Sequence, residues 1–246
     1  MVDLTVVHLY PDLLHTYGDR GNVMALRRRA ERRGRSVAVV SVSKGEALPA
    51  HADLIFIGGG SDRVQRAIGA DLVGRRGEIA DLVAAGSVVV GVCGGYQLFG
   101  GSYRLPDGSS IEGLGILDVV TEAGDDRIVG RVAARVSRAD LSTQLLGFEN
   151  HGGRTRIGPG AAPLARVMHG GGNNGVDRTE GAVQGRVVGT YLHGPVLVLN
   201  PELTDWLLGL ALGDSGLPSL EDQGERQVRT AWLERVRRCR RPRRRH

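Results

Sequence analysis

Residues 88–101 read VVVGVCGGYQLFGG, and this stretch decides which fold the rest of the sequence must fit. A run of mostly β-branched residues ends at Cys93, and glycines stand at positions 91, 94 and 95. A strand that ends in Gly-x-Cys-x-Gly and continues as a helix is the nucleophile-elbow pattern, with sulfur in place of oxygen. Glycines suit such a sharp turn because they relieve crowding and tolerate unusual backbone dihedrals. The pattern predicts a strand over residues 87–92, a helix directly after it, and Cys93 as the nucleophile.

The predicted turn would place the sulfur at a helix N-terminus, where backbone N–H groups and the helix dipole favour a thiolate. The N–H of Gly94 would then face a developing oxyanion. The alternative is a structural cysteine at the end of a buried strand, since free cysteine is often buried. Three glycines around one cysteine favour the nucleophile, because a core cysteine does not need them.

Outward from this stretch, short apolar runs alternate with helical patterns. The predicted strands of the first half cover residues 4–10, 36–42, 53–57 and 87–92, and the predicted helices cover 21–33 and 62–85. This alternation indicates an α/β protein with a mostly parallel sheet flanked by helices.

After about residue 115 the sequence predicts an additional strand-rich portion that is partly antiparallel. The predicted strands cover residues 115–120, 128–136, 145–149, 182–184 and 187–191, and a closing helix covers 202–212. We therefore predict one domain over residues 1–212. Residues 213–246 are predicted as a linker, an amphipathic helix over 226–238 with Val228 and Trp232 on one side, and an Arg-rich C-terminal tail.

The charge of the chain is unevenly distributed. Residues 235–246 hold eight arginines and no acidic residue, so removing them from the net charge of +5 leaves −3 on the rest. Such a tail suits an anionic lipid surface, an acidic partner or nucleic acid, or it is a solvated end. No apolar run reaches the roughly 18–20 residues that span a bilayer, and the N-terminus resembles no secretory signal. With two cysteines, we expect a protein of a reducing compartment, the cytoplasm.

A cysteine nucleophile needs a base, and two histidines are candidates. His193 stands where the predicted strand 187–191 runs into a Gly-Pro pair, and His151 lies in GFENHGGRT. In an open α/β sheet the site forms at the C-terminal ends of the strands, where we expect both Cys93 and His193. Spacing alone gives His193 only a small advantage over His151.

Five separated motifs carry a resemblance to a known family: HLYPDLLHTYGDRGNVMALRRRAERRG, GGGSD, VVGVCGGYQLFG, GFENHGGRT and GTYLHGPVLVLNP. Over residues 3–212 they resemble, in order, the glutamine amidotransferases of the cobyric acid synthase type. The resemblance implies a class I glutamine amidotransferase fold that hydrolyses L-glutamine to glutamate and ammonia. It assigns Cys93 as the nucleophile that forms a glutamyl thioester, and His193 as the residue that takes the thiol proton.

The same resemblance extends to the substrate. It implies that Gly60 is a second oxyanion donor beside Gly94, and that Arg127 holds the α-carboxylate of glutamine. Gln97, four residues after the nucleophile, is a further candidate contact. Without the resemblance, Arg127 would be interpreted as a surface arginine at a turn.

One position departs from the wider class I pattern. Many of those enzymes carry an acidic residue two positions after the histidine, which orients the ring, and this chain has Pro195 there. Either His193 works with Cys93 alone, or a carboxylate comes from elsewhere. Our hypothesis is that a partner subunit supplies it.

The sequence contains no Walker A motif and no cluster of metal ligands, so we expect no cofactor in this chain. The resemblance implies a heterodimer with a MurT-like subunit of the Mur-ligase family, which would use ATP and Mg²⁺. That subunit would activate the D-glutamate α-carboxyl of lipid II for conversion to D-isoglutamine in peptidoglycan biosynthesis, at the inner face of the membrane. We expect no nucleic-acid partner. Cobyric acid synthases carry an ATPase domain before the glutaminase, and the first strand here begins too early for one.

Three alternatives stay open at this stage. The chain could be the glutaminase of a cobyrinate-type amidotransferase, or a thiol hydrolase of the α/β-hydrolase type. It could also be a non-catalytic regulatory subunit, although the presence of Cys93 and His193 counts against this. The glycine-rich segment 169–181 either borders the site or a partner surface, or is an exposed hairpin loop.

Overall fold

The computed structural model describes residues 2–239. In chain order the first half consists of β1 (Leu4–Leu9), α1 (Arg20–Glu31), β2 (Val37–Val42), β3 (Leu54–Ile57), α2 (Asp62–Gly74), α3 (Arg76–Ala84), β4 (Val88–Val92), α4 (Gly94–Phe99), β5 (Ser102–Arg104) and β6 (Ser110–Glu112). The second half consists of β7 (Val119–Ser137), β8 (Ser142–Ile157), β9 (Ala165–His169), β10 (Thr179–Glu180), β11 (Ala182–Gln184), β12 (Val187–Thr190), α5 (Val196–Leu199), α6 (Pro201–Leu212) and α7 (Gln223–Cys239).

The first sheet has the strand order β11-β12-β4-β3-β1-β2, and all of its pairs are parallel except β11 with β12. Every residue of β3 and β4 is buried, as expected for Val- and Ile-rich strands in the middle of a parallel sheet. The chain passes from β1 to β2 on one side and then to β3 on the other. Loops that leave β1 and β3 therefore meet at the point where the strand order reverses, which is where ligands bind in open α/β sheets.

The second sheet is mostly antiparallel, with the order β10-β9-β7-β5-β6 and β8 paired with β7. Its main feature is the long hairpin of β7 and β8, which the sequence predicted only as the shorter runs 128–136 and 145–149. The pairing is interrupted between Ala123 and Ile128, where β7 carries an irregularity. The predicted α/β fold with a parallel sheet and a strand-rich portion is confirmed.

Several predicted elements need correction. The single helix predicted over residues 62–85 is two helices, α2 and α3, which meet at Arg75 with φ −89° and ψ 1°. The strand predicted from residue 115 begins only at Val119, because residues 115–117 donate their N–H groups to the carbonyls of Phe99 and Gly100 at the end of α4. The hairpin β5–β6 and the strand β9 were not predicted, since strands of three, three and five residues are too short for an alternating pattern to stand out.

The C-terminal helix α7 packs against α5, β7 and β8. Trp232, Leu233 and Val236 face a small cluster with Ala133 and Leu146. Val228, predicted on the same face, is exposed, so the packed stripe is narrower than expected. The domain boundary after residue 212 stays a prediction, and residues 240–246 of the Arg-rich tail lie outside the described part.

Candidate active site

Cys93 occupies the sharp turn between β4 and α4. Its backbone has φ 50° and ψ −101°, which is unusual for a residue with a side chain. The turn is fixed on both sides, because the Cys93 N–H donates to Thr190 O at 2.8 Å and Gln97 N donates to Cys93 O at 2.9 Å. No residue with a Cβ fits at the neighbouring glycine positions. A Cβ on Gly91 would lie 2.5 Å from the Phe99 ring, and one on Gly95 would lie 2.5 Å from Ile57 O.

His193 follows β12, which is the parallel neighbour of β4 with Thr190 opposite Val92. Two backbone hydrogen bonds join it to β8: its N–H donates to Phe148 O at 2.7 Å, and Phe148 N donates to His193 O at 3.0 Å. The imidazole packs edge to face against Tyr17, with 4.8 Å between the ring centroids. Neither ring nitrogen has a hydrogen-bond partner within residues 2–239.

Gly59, in the loop after β3, shows how close the nucleophile and the base lie. A Cβ added there would be 3.0 Å from His193 Cε1 and 3.4 Å from Cys93 Cβ. The structure thus brings the two predicted residues together at one glycine. Their catalytic roles stay predictions.

Burial keeps both groups uncharged. It raises the pKa of the Cys93 thiol to about 12, with a further contribution from the Asp19 carboxylate, while the Gly94 N–H and Arg127 act in the other direction. Burial also lowers the pKa of His193 to about 4. The thiolate expected from the helix N-terminus is therefore not the resting form, because desolvation outweighs the favourable N–H group.

The two predicted oxyanion donors lie side by side. A Cβ on Gly94 would be 2.9 Å from Gly60 N. The loop N–H groups beside them are already used: Gly59 N donates to Asp19 Oδ2 at 2.6 Å, and Gly95 N donates to Gly58 O at 3.1 Å. No backbone hydrogen bond found in the described chain uses the N–H of Gly60, so it remains for a ligand.

A cleft of about 400 Å³ opens over Cys93, and Gly60, Gln97 and Arg127 line it. Arg127 lies at the irregularity of β7, and its guanidinium donates to Asn150 Oδ1 at 2.8 Å and to Asn150 O at 2.9 Å. The Asn150 amide in turn donates to the Tyr17 hydroxyl. These bonds fix the position of a guanidinium at the cleft, and a guanidinium is suited to bind a carboxylate.

Gln97 and the rival histidine, His151, form a second wall of the cleft. Gln97 Nε2 donates to the Tyr191 hydroxyl at 3.2 Å, and its Oε1 accepts from Gln65 at 2.8 Å. The His151 ring stacks on Tyr191 at 3.6 Å between centroids, and its Nδ1 lies 2.8 Å from Gly153 O. One ring nitrogen of His151 is thus held by its own strand, whereas neither ring nitrogen of His193 has a partner in the described residues.

Asp19, a fully buried carboxylate at the start of α1, was not predicted as a site residue. It contacts Gly59 beside Cys93 and His193. A signal was present, since Asp19 follows β1 and belongs to a quoted motif, but only the fold brings it to Gly59. The glycine-rich segment 169–181 connects β9 to β10, and the Gly171 and Gly172 N–H groups donate to Glu149. It also packs behind the site, where Asn173 accepts from the Tyr96 hydroxyl and Glu180 accepts from the Tyr191 N–H.

A parallel sheet with a cysteine at the elbow after β4, a histidine after β12 and paired backbone donors is the arrangement of class I glutamine amidotransferases. Solved structures support this class at the level of the fold. A chain of the PurLQS structure from Thermotoga maritima matches with a TM-score of 0.57 and 18% identity, over 86% of this chain and 96% of that chain.

The sequence comparisons identify the family. Residues 5–201 match the family described as the CobB/CobQ-like glutamine amidotransferase domain, and the chain belongs to this family. It is 39% identical over 243 residues to the lipid II isoglutaminyl synthase (glutamine-hydrolyzing) subunit GatD of Staphylococcus aureus, with 97% of this chain and 98% of that protein covered. The GatD subunit of Streptococcus pneumoniae is 37% identical over 226 residues, with 89% and 86% covered.

Proposed function

We propose that the chain is the glutaminase subunit of a lipid II isoglutaminyl synthase. The observation that carries this proposal is the match to GatD along nearly the whole of both chains. The site agrees with it, because the cleft holds a cysteine, paired N–H donors and an oriented guanidinium. This agreement favours glutamine over the simple esters of a thiol hydrolase.

In the proposed reaction, Arg127 binds the α-carboxylate and the side-chain amide lies against Cys93. The Cys93 sulfur attacks the amide carbon while His193 takes the thiol proton, and the oxyanion accepts hydrogen bonds from the N–H groups of Gly60 and Gly94. His193 then gives the proton to the departing nitrogen, so the carbon–nitrogen bond breaks and ammonia leaves. Water, deprotonated by His193, hydrolyses the thioester to glutamate and restores the thiol.

Ammonia released this way needs an acceptor. We place the activation of that acceptor in a second subunit, a MurT-like member of the Mur-ligase family that binds ATP and Mg²⁺. It would activate the D-glutamate α-carboxyl of lipid II, and ammonia would convert that residue to D-isoglutamine. Because lipid II is a lipid, the complex would work at the membrane. We place it in the cytoplasm, at the inner face. No helix within residues 2–239 has the length and apolarity to cross a bilayer.

The partner is also our proposed source of the missing acid. Both ring nitrogens of His193 are unpaired within the described residues, and Pro195 occupies the position of the usual carboxylate. A partner carboxylate at one ring nitrogen would orient the imidazole and favour its charged form. The isolated chain should then hydrolyse glutamine more slowly than the complex, and equal rates would argue against this source.

The deciding experiment is co-expression with a MurT-like protein and a glutamine-dependent amidation assay on lipid II. We expect ATP-dependent transfer of the glutamine amide nitrogen, and none with Cys93→Ala. A glutamine-analogue diazo-ketone should label Cys93 in the same complex. Absence of labelling would favour the regulatory subunit, and labelling with amidation only of a corrin substrate would favour the cobyrinate-type enzyme.

A further inference from the structure

Asp19 is buried in a way that needs a functional explanation. The residue is 0% exposed, and no cation forms an ion pair with its carboxylate anywhere in residues 2–239. Burial raises its pKa to about 7, while hydrogen bonds from Gly59 and Asn22 act in the opposite direction. An unpaired buried carboxylate destabilises a fold, and surface or apolar residues normally replace it.

The hydrogen bonds around Asp19 favour its ionised form. Gly59 N donates to Oδ2 at 2.6 Å and Asn22 Nδ2 donates to Oδ1 at 3.1 Å, so both partners are donors. The orientation of the Asn22 amide is fixed, because its Oδ1 accepts the Leu197 N–H at 2.9 Å. Asp19 accepts from both donors, so the hydrogen bonds favour the ionised form, while burial raises its pKa to about 7; both forms are therefore populated near neutral pH.

The network connects the two loops on which the chemistry depends. On one side Asp19 holds Gly59, next to the predicted oxyanion donor Gly60. On the other side Asn22 holds Leu197, in the short helix α5 that follows His193. The residues at the start of α1 thus fix the loop that carries Gly59 relative to the loop that follows His193. Both loops lie where the strand order of the first sheet reverses.

The carboxylate also lies beside the group that becomes positively charged. A Cβ added to Gly59 would lie 3.0 Å from His193 Cε1 and 3.3 Å from Asp19 Oδ2. When Asp19 is ionised, its charge favours the imidazolium that forms when Cys93 loses its proton, whereas the same charge opposes the thiolate and raises the pKa of Cys93.

We infer that Asp19 is a positioning residue of the glutaminase reaction, which fixes the Gly58–Gly60 loop and supplies a countercharge to His193. This role rests on the proposed function. It differs from that of the partner's carboxylate, because Asp19 makes no hydrogen bond to either ring nitrogen of His193. Both acids can act on one histidine.

The chain offers a variant that moves the charge and keeps the hydrogen bonds. In the double variant Asp19→Asn with Asn22→Asp, residue 19 accepts from Gly59 through its amide oxygen and donates to residue 22. Residue 22 in turn accepts from the Leu197 N–H. All three contacts persist, while the negative charge moves from residue 19 to residue 22. Asp19→Asn alone removes the charge and leaves two donors facing each other.

We expect both variants of the full chain to show kcat for glutamine lower by roughly 10- to 100-fold, with KM changed by less than about twofold. Asp53→Asn is the control, since Asp53 Oδ2 accepts the Thr5 N–H at the other end of β1, and its kcat should equal that of wild type. Thermal unfolding verifies that each variant is folded. Either folded variant with more than half of the wild-type kcat overturns the inference.

The pH dependence of thermal unfolding is a second readout. The folded-state pKa of Asp19 lies above its unfolded value, so the wild type should lose stability as pH rises from about 4 to about 7. The unfolding temperature of wild type relative to Asp19→Asn should fall over that window, and a constant difference would contradict a buried charge. The groups nearest the site, His193, Cys93, Arg127 and Asp62, are the same in both proteins.

If wild type neither hydrolyses glutamine nor reacts with the diazo-ketone, the proposed function fails instead.

Discussion

At Cys93 the chain accepts a backbone conformation that residues with a Cβ rarely adopt. A φ of 50° with ψ −101° costs on the order of 1–3 kcal/mol, and the turn keeps it because β12 and α4 hold both sides. The strain directs the sulfur toward the cleft beside Gly60 and Arg127. A residue chosen for packing alone would not need this conformation.

The raised pKa of the thiol leads to a prediction about its reactivity. Alkylation of Cys93 by iodoacetamide in the free chain should be slow at pH 7 and should still be increasing above pH 9, because the thiolate is scarce until then. Alkylation followed by mass spectrometry from pH 6 to 10 measures this. A half-maximal rate near pH 7 would show that the resting site stabilises the thiolate after all.

Arg127 allows a separate test of substrate binding. Arg127→Lys keeps the charge but loses the two-pronged contact with a carboxylate, so we expect KM for glutamine to rise about 10- to 100-fold with a smaller change in kcat. Arg156→Lys is the matched control, since Arg156 lies on β8 with 78% of its side chain exposed. An unchanged KM in Arg127→Lys would remove this residue from the binding site.

At the level of elements, the N-terminus of α1 packs closely against the loop that follows His193. A Cβ on Gly21 would lie 2.4 Å from Pro195 Cγ. Gly21→Ala should therefore destabilise the fold by about 1–3 kcal/mol and lower glutaminase activity, because Pro195 and His193 would have to move.

The control for this change is another helical glycine. A Cβ on Gly77, in α3, would meet no atom within 4 Å, so Gly77→Ala should leave activity unchanged and stabilise the fold by up to about 1 kcal/mol. Denaturant unfolding of both variants, with activity assays, measures the contrast. Equal effects of the two substitutions would show that the contact with Pro195 does not matter.

The elements also show what the sequence could predict. The strands β1, β3 and β4 were predicted because central parallel strands are continuous apolar runs, and the edge strand β2 because it is rich in valine. Cys93 was predicted because three glycines surround it at the end of a strand. The full length of β7 was not, since EAGDDR at residues 122–127 interrupts the apolar pattern. Asp19 was missed for a different reason: its partner Gly59 is 40 residues away, and only the fold brings the two loops together.

For the whole molecule, Arg29 connects three parts of the chain. It is a buried residue of α1 whose guanidinium binds Asp205 of α6 at 2.6 Å and Asp222, just before α7, at 2.7 Å. The C-terminal helix is thereby attached to the body, although the sequence placed it beyond a linker.

This connection predicts a particular acid sensitivity. The hydrogen bond and charge of Arg29 hold the pKa of Asp222 below its ordinary value, so the pair stabilises the fold above pH 4 or so and loses this effect as pH falls further. Asp222→Asn should lower the free energy of unfolding by about 1–3 kcal/mol at pH 7 and by much less at pH 3. Urea unfolding at both values measures it, and an equal loss at both pH values would contradict a charge-based role.

The two backbone bonds between Phe148 and His193 join the rim of one sheet to the other. A binding partner that displaced the long β7–β8 hairpin would therefore also displace the main chain that carries the imidazole. A shift of this hairpin relative to the first sheet would thus change the distance between the imidazole and the Cys93 sulfur.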